Sequence, residues 1–169
     1  MTDGLPDIWR VDQIDWQTWV VEERATLMFV LRGDQVLLIR KKRGLGAGKI
    51  NGPGGRIEEG ETPMQCAIRE TQEELKITPL NVVARGELRF HSEDFPKIHG
   101  YVFVATDYQG TATETEEAIP LWTPVDEIPY EEMWEDDIYW LPQVLSGKGV
   151  DGRFVFQGED LLDWQVNSV

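Results

Sequence analysis

Cysteine, basic residues and long apolar runs are all scarce in this sequence. A single cysteine, Cys66, excludes a disulfide within the chain and favours a reducing, cytoplasmic location. The 16 lysines and arginines face 31 aspartates and glutamates, giving a formal net charge of -15. Because binding to a nucleic-acid polymer needs a dense basic field, no such polymer is expected as a partner. Apolar stretches such as residues 27–31 are far shorter than the ~20 residues of a membrane-spanning helix, so no membrane association is expected.

The length of the chain indicates one folded domain. Its 169 residues, 41% of them hydrophobic, can build one sizeable core and are few for two ordinary domains. Residues 20–169 are predicted to form this domain. Residues 1–19 are predicted to be a separate N-terminal extension containing Trp9, Trp16 and Trp19, whose rings either cover the domain or contact a second subunit. The sequence leaves that choice and the oligomeric state open.

Hydrophobic periodicity predicts a mixed α/β pattern. Residues 25–31 and 35–40 read as two strands of a hairpin around Gly33, and residues 80–91 and 98–107 read as two more strands joined by a polar loop. One or two strands are expected after residue 153. Residues 133–147 have helical spacing, with Pro142 placed near a helix start or a kink.

A helix with a well-marked start follows the glycine-rich stretch 52–60. Thr62 is a suitable cap, Pro63 fits the first helical position, and Gln65 completes a capping box. Five residues then recur at helical spacing and are expected to face a core: Met64, Ala67, Ile68, Thr71 and Leu75.

Three glutamates lie on a neighbouring face of this predicted helix. Glu70, Glu73 and Glu74 are spaced so that their carboxylates come close together, which disfavours the helix by ~0.2–0.5 kcal/mol per like-charge pair. A divalent cation would offset this repulsion, and ligands made only of oxygen select Mg²⁺ or Mn²⁺ over zinc or copper. The alternative is that these acids form an ordinary solvated helix face.

The surrounding residues resemble a known family pattern. Residues 55–77, GRIEEGETPMQCAIRETQEELKI, resemble the Nudix box, G-x5-E-x7-R-E-U-x-E-E-x-G-U with U aliphatic. The matching positions are Gly55, Glu61, Arg69, Glu70, Glu73, Glu74 and Ile77. Two positions differ, because Thr71 replaces an aliphatic residue and Lys76 replaces the glycine that favours a left-handed turn. Neither change removes a carboxylate, and the match in register argues against the solvated face.

The resemblance implies a fold, a reaction and a metal site. The implied fold is an α/β/α sandwich around a mixed, partly barrel-like sheet, and the implied reaction is hydrolysis of a nucleoside diphosphate linked to another group. The implied cofactor is Mg²⁺, with Mn²⁺ as the alternative. Its ligands would be the Gly55 carbonyl and the carboxylates of Glu70, Glu73 and Glu74, joined from outside the box by Glu117.

Two more residues of the box receive roles by resemblance. Arg69 would orient the glutamates, and Glu61 would brace the glycine-rich loop against the helix. Glu73 would serve as a metal ligand or as the general base. This division agrees with the chemistry, because attack on a polyphosphate needs charge neutralisation, alignment and an activated water rather than a covalent nucleophile.

Both flanks of the box resemble one branch of the family. Residues 40–55, 121–145 and 154–164 resemble the oxidised purine nucleoside triphosphatases, the 8-oxo-dGTP diphosphatases of the Nudix superfamily. Their base-binding residues correspond here to Asn51, Asp136 and Asp137. Two adjacent carboxylates in a partly dry pocket repel each other, so one should keep its proton and donate while the other accepts. The alternative for this acidic run is a helix start favoured by the helix dipole.

The rest of the pocket is also assigned by resemblance. Trp134 would stack on the base, with Phe90, Trp140 and Thr26 lining the pocket and Lys41 near its mouth. Trp140 is equally well explained as a core residue. Aromatic stacking tolerates every base, so the aspartates are expected to supply selectivity.

These residues together predict a Mg²⁺-dependent hydrolase. Its substrates would be modified purine nucleoside triphosphates of the 8-oxo-dGTP and 2-oxo-dATP type, cleaved to the monophosphate and pyrophosphate. One alternative is a Nudix hydrolase of dinucleoside polyphosphates or nucleotide sugars, which would keep the metal helix without needing the base-binding residues. A noncatalytic nucleotide-binding module is disfavoured, because no carboxylate of the box is lost.

Overall fold

A computed structural model describes residues 4–169. In this part of the chain one mixed sheet of eight strands is flanked by two α-helices. The elements, in chain order, are β1 (Glu23–Arg32), β2 (Gln35–Lys41), β3 (Ile50–Asn51), α1 (Pro63–Leu75), β4 (Thr78–Ser92), β5 (Ile98–Gln109), β6 (Ala118–Pro124), α2 (Asp137–Leu145), β7 (Val150–Gln157) and β8 (Asp160–Ser168). Short 3-10 helices cover Val11–Gln13 and Tyr130–Glu132.

The strand order confirms a mixed sheet. It runs β3-β2-β1-β5-β4-β7-β8, and β6 pairs with β2. The pairs β1/β5 and β4/β7 are parallel, whereas the other pairs are antiparallel, including the predicted hairpin of β1 and β2. The expected barrel-like character is not seen, because no pairing between described strands joins β8 to the opposite end of the sheet. The fold is therefore an open sheet between helices.

Two apolar layers cover the two faces of the sheet. Side chains alternate along a strand, so Phe29 of β1 packs with Trp140 of α2, whereas its neighbour Met28 belongs to the core that contains Leu75 of α1. The α2 side has the larger cluster. This division places α1 and α2 on opposite faces, as an α/β/α sandwich requires.

Helix α1 begins as its local signals predict. The Thr62 hydroxyl accepts a hydrogen bond from the Gln65 backbone N–H at 3.1 Å, and the Gln65 side chain accepts from the Thr62 N–H at 2.9 Å. Lys76 ends the helix in the left-handed region, with φ 63°, although it is not a glycine. Thr71 is buried, and its hydroxyl donates to the Ala67 carbonyl at 2.8 Å. Met64 is more exposed than the periodicity predicts.

Helix α2 differs from the prediction in two ways. It begins only at Asp137, after a turn in which the Asp137 N–H donates to the Trp134 carbonyl at 3.2 Å. Pro142 lies inside the helix and not near its start, so of the two expected places the kink stays a prediction. Burial of the adjacent Trp140 and Leu141 stabilises the helix where the proline lacks an N–H. Strand β6, which contains two prolines, has no counterpart in the predicted pattern.

The N-terminal residues that the structure describes lie against the sheet. Val11 is buried, and its N–H donates to the Asp163 carboxylate of β8 at 2.8 Å. The Trp19 indole N–H donates to His91 of β4 at 3.1 Å, and Trp16 packs beside Trp19 with ring centroids 5.1 Å apart. Within residues 4–169, no helix is long and apolar enough to cross a membrane.

Candidate active site

A glycine-rich loop and helix α1 form one end of the site. The Thr26 N–H of β1 donates to the Gly55 carbonyl at 2.9 Å, which lays the loop along this strand. A Cβ at Gly54 would lie 1.8 Å from the Thr26 carbonyl oxygen, and a Cβ at Gly55 would lie 2.5 Å from the Glu70 carboxyl carbon. Gly54 therefore requires glycine, whereas a side chain at Gly55 would displace the Glu70 carboxyl that the close approach brings beside it.

Glu70 and Glu74 face this loop from α1. Glu74 is buried, and one of its carboxylate oxygens accepts a hydrogen bond from the Gly54 N–H at 3.1 Å. Burial raises the pKa of Glu74 to about 8, and the nearby Glu70 charge adds to the rise. Burial also raises the pKa of Glu70, although Arg69 opposes the shift. Neighbouring cations and hydrogen bonds therefore do not fully stabilise the ionised forms of these two carboxyls.

Arg69 connects the acids of the box. Its Nε and Nη2 donate to the two oxygens of Glu61 at 2.6 and 2.9 Å, while its Nη1 donates to Glu70 at 2.9 Å and Glu73 at 3.2 Å. The paired hydrogen bonds lower the pKa of Glu61 to about 2. Glu61 lies in the loop before α1, so this contact joins loop and helix. The arrangement fits the orienting and bracing roles implied by the resemblance, which stay predictions.

The acids include candidate ligands for a metal ion, but their side chains are not grouped as a complete metal site. Among residues 4–169, no group of three acidic, histidine or cysteine side chains stands ready to hold a metal ion. Glu73 turns to Arg69, and Glu117 forms an ion pair with Arg43 that lowers the pKa of this glutamate. The donors at Glu70 and Glu74 are nevertheless all oxygen atoms with uncompensated charge, which fits a hard divalent cation. Glu73 and Glu117 would have to leave their arginine partners to join them.

A single cavity of about 340 Å³ extends from these acids to the predicted base-binding residues. It is lined at one end by Gly54, Gly55 and Glu74. Seven residues predicted to bind substrate line it as well: Thr26, Lys41, Asn51, Phe90, Trp134, Asp136 and Asp137. Residues that are distant in sequence are thus brought into one space.

The prediction that Trp140 lines the pocket requires correction. Its ring is fully buried in the core below the cavity, where it contacts Phe29 edge to face. Its indole N–H donates to a carboxylate oxygen of Asp136 at 2.8 Å. Trp140 therefore holds a pocket residue and is not itself part of the cavity wall.

Asp136 and Asp137 form a buried pair of acids. They are 2% and 4% exposed, and one oxygen of Asp137 is buried without a hydrogen-bond partner. Burial raises the pKa of Asp136 to about 6 and raises that of Asp137 well above its usual range, with repulsion from Asp136 adding to the latter shift. The pair therefore retains a proton at neutral pH and presents an unpaired polar atom beside the cavity.

Sequence reasoning missed part of the aromatic wall. Phe95, in the loop between β4 and β5, lines the cavity and meets Trp134 edge to face with centroids 6.1 Å apart. Phe156 of β7 also lines it and packs against both rings. The available signal for Phe95 was its position as the one aromatic residue in the polar segment 92–97.

Two lysines lie near the cavity, Lys41 at the end of β2 and Lys49 in the loop that follows, where it is paired with Glu159. Lys41 lines the cavity and donates to the Leu45 carbonyl at 2.7 Å. The Lys49 ammonium lies 5.2 Å from the centre of the Trp134 ring. In an acidic chain, these cations would favour the approach of phosphate groups.

Comparison with known proteins identifies the family of the chain. The NUDIX domain model matches residues 21–144. The chain is 41% identical to the oxidized purine nucleoside triphosphate hydrolase of Danio rerio over 81% of this chain and 88% of that protein. It is also 41% identical to the enzyme of the same name from Mus musculus, over 85% of this chain and 94% of that protein.

A solved structure supports the same assignment. The crystal structure of the MutT protein from Bacillus halodurans has a TM-score of 0.77 and 28% sequence identity, covering 86% of this chain and 97% of that one. The sequence and fold comparisons thus agree with the box on α1. The chain belongs to the Nudix family of hydrolases.

Proposed function

We propose that this protein hydrolyses oxidised or otherwise modified purine nucleoside triphosphates, such as 8-oxo-dGTP and 2-oxo-dATP. The products are the nucleoside monophosphate and pyrophosphate, so the reaction removes damaged nucleotides before DNA synthesis uses them. The observation that carries the proposal is one cavity lined both by Glu74 of the Nudix box and by the buried pair Asp136 and Asp137. The names of the zebrafish and mouse relatives support the same substrate class.

The cofactor in this proposal is Mg²⁺, with Mn²⁺ as a substitute. Nudix hydrolases in general use divalent metal ions. The proposed ligands are the Gly55 carbonyl and the carboxylates of Glu70, Glu74 and Glu117, while Glu73, expected as either a ligand or the general base, takes the second role. When bound, the ion neutralises phosphate charge and lowers the pKa of water.

The residues of the chain would orient this chemistry. Arg69 holds Glu70 and Glu73 through one guanidinium nitrogen and Glu61 through the other two, so it fixes helix α1 against the loop. Glu73 is the most exposed carboxylate of the Arg69 cluster after Glu58, and we assign it the role of general base. Water attacks a phosphorus atom, Glu73 takes the proton, and the bond to the bridging oxygen breaks.

Base recognition would use both hydrogen-bond donors and hydrogen-bond acceptors. A protonated Asp137 donates, while Asp136 accepts, and the half-buried Asn51 amide adds a donor and an acceptor. Trp134 and Phe90 supply aromatic surface. A base with a mismatched edge would leave buried polar groups unpaired, which is strongly unfavourable.

Steady-state kinetics across a substrate panel tests the proposal. The panel contains 8-oxo-dGTP, 2-oxo-dATP, O6-methyl-dGTP, dGTP and dinucleoside polyphosphates, each assayed with Mg²⁺. We expect at least one modified purine triphosphate to be preferred over dGTP. Equal turnover of dGTP and all modified forms would contradict the proposal, and preference for dinucleoside polyphosphates would favour the alternative Nudix activity.

Two further assignments complete the proposal. The partner is a small nucleotide rather than a nucleic-acid polymer, since the net charge of -15 opposes a polyanion backbone. The proposed location is cytoplasmic, because the one cysteine is a free, buried thiol, and a chain without an internal disulfide suits a reducing compartment.

A further inference from the structure

The loop between β4 and β5, residues 93–97, contributes one wall of the base pocket. Phe95 is half-buried, lines the cavity and contacts both Trp134 and Phe156 through edge or tilted ring packing. Its neighbours Asp94 and Pro96 are exposed. The position of this ring therefore depends on how the backbone of the loop is held.

The N-terminal segment, defined as residues 8–22, holds the loop at both ends. Before the loop, the Trp19 indole N–H donates to Nδ1 of His91 at 3.1 Å. After the loop, the Lys97 N–H donates to the Glu22 carboxylate at 2.9 Å, and the Glu22 N–H donates to the Lys97 carbonyl at 2.8 Å. These contacts hold the chain on both sides of Phe95.

The histidine contact is well suited to a fixed anchor. His91 is 4% exposed, and burial lowers its pKa, which favours the neutral ring. With Nδ1 accepting from Trp19, the other nitrogen carries the hydrogen and faces Glu93 at 3.4 Å. The N-terminal segment thereby orients a buried residue one position before the end of β4.

The loop also has hydrogen bonds to the sheet and to the turn after β7. The Asp94 N–H donates to the Ser92 hydroxyl of β4 at 3.0 Å. The Asp94 carboxylate accepts from the Gly158 N–H at 2.6 Å, in the turn between β7 and β8. Without the N-terminal contacts, the loop would have more conformations, and ordering Phe95 against a base would use part of the binding free energy.

We propose that the N-terminal segment positions Phe95 for recognition of the purine base, by fixing both ends of the 93–97 loop. Trp19 and Glu22 are the positioning residues, and Phe95 is the residue that contacts the base. The inference rests on the proposed function, since it concerns the same pocket. It gives the tryptophan-containing segment a role within its own chain.

The first experiment measures binding of 8-oxo-dGMP in EDTA, so that the metal site makes no contribution. Trp19→Leu and Glu22→Ala are each expected to weaken binding about 2- to 10-fold, the range for a lost aromatic contact. Glu22→Gln keeps an oxygen for the Lys97 N–H and should retain native affinity. In assays of 8-oxo-dGTP with Mg²⁺, the two weakened variants should raise KM and leave kcat unchanged.

A matched control separates positioning from general stability. Asp163→Ala removes the anchor of Val11 at the far end of the N-terminal segment, away from the loop. It is expected to lower the melting temperature without changing the affinity for 8-oxo-dGMP. If Trp19→Leu and Glu22→Ala also change only the melting temperature, the segment is simply structural and the inference is wrong.

A double-mutant cycle tests whether Trp19 acts through Phe95. On the Phe95→Leu background, Trp19→Leu should cause little further loss of affinity, because the ring it positions is already absent. Additive losses would overturn the inference. Absence of 8-oxo-dGMP binding and of modified purine hydrolysis in the native protein would instead refute the proposed function, so the two failures are distinguishable.

Discussion

The proposed active site has clustered acids at the Nudix box, here called the phosphate end, and at the aspartate pair, here called the base end. The negative charge of these acids is balanced differently at the two ends. At the phosphate end, Glu61, Glu70 and Glu73 share one guanidinium, that of Arg69. At the base end, Asp136 and Asp137 have no salt bridge in the described part of the chain, and burial raises both pKa values. The acids held by Arg69 are paired with a cation, whereas the aspartate pair keeps a proton. Glu74 resembles the aspartates, because it has no salt bridge among residues 4–169 and burial raises its pKa to about 8. The same chemical group can therefore be stabilised by a cation or by a retained proton within one site.

Replacing Glu74 by glutamine should give the largest effect. The amide oxygen can still accept from the Gly54 N–H, so the fold is preserved while a proposed metal ligand loses its charge. We expect kcat/KM to fall roughly 10³-fold, equivalent to several kcal/mol of lost metal stabilisation. Affinity for 8-oxo-dGMP in EDTA should persist.

A charge control accompanies this variant. Glu59→Gln removes one negative charge from an exposed position of the same box and should leave kcat/KM unchanged. Full activity of Glu74→Gln would refute the metal assignment at this end.

Replacing Asp136 by asparagine should act mainly on base selection. Asparagine can still accept from the Trp140 N–H but cannot share a proton with Asp137 in the same way. The ratio of kcat/KM for 8-oxo-dGTP over dGTP is expected to change roughly 10- to 100-fold, as for a mismatched buried hydrogen bond. Asp126→Asn, in an exposed turn, is the control. An unchanged ratio would show that the aspartate pair does not read the base.

The aspartate pair at the base end should also make the free energy of unfolding depend on pH. In the unfolded chain both aspartates titrate near pH ~4, whereas burial raises the pKa of Asp136 to about 6 and that of Asp137 well above its usual range. Between these values the unfolded chain releases protons that the folded protein keeps. The free energy of unfolding should therefore fall as pH rises, by roughly 1–3 kcal/mol relative to the Asp136→Asn/Asp137→Asn variant.

Urea unfolding at a series of pH values measures this difference. The comparison with the double variant removes the contribution of the other titrating groups, which both proteins share. A difference that rises with pH, or does not change, would mean that the pair is ionised in the folded protein.

The smallest effect is expected from the cap of the helix at the phosphate end. Thr62→Ala removes the hydroxyl that accepts from the Gln65 N–H and should lower the free energy of unfolding by about 1 kcal/mol. Thr62→Ser keeps the acceptor and should be close to native in chemical denaturation. Selectivity between 8-oxo-dGTP and dGTP should not change, because the base end lies on other elements. A changed selectivity would mean that the two ends are coupled through α1.

The difference between the two ends also decides what the sequence could predict. The phosphate end is built largely from one helix and the loop before it, so capping, periodicity and the box spacing predicted Thr62, Arg69 and the glutamates together. Lys76 shows the limit of such local rules, since it takes a left-handed conformation that favours glycine.

The base end depends on contacts between residues that are far apart in sequence. Asp136 and Trp140 are four residues apart, as neighbours on a helix are, but this spacing could not tell that Trp140 lies in the core rather than in the cavity wall, or that Pro142 would be accommodated inside α2. Phe95 was missed because a polar loop gives no periodic signal, and its place in the wall follows from the pairing of β4 with β5. The open edge of the sheet is likewise a property of strand pairing rather than of any one strand.

The two glycines that lie against β1 have an implication for how this enzyme can diversify. A methyl group at Gly54 would collide with the Thr26 backbone, and one at Gly55 would displace the Glu70 carboxyl, a proposed metal ligand. Substitution at either glycine would thus disturb the loop or the metal site, whereas Leu45 beside the cavity is 47% exposed and has room to change size. New substrates should accordingly be acquired by remodelling the rim, with the hydrolytic machinery left intact.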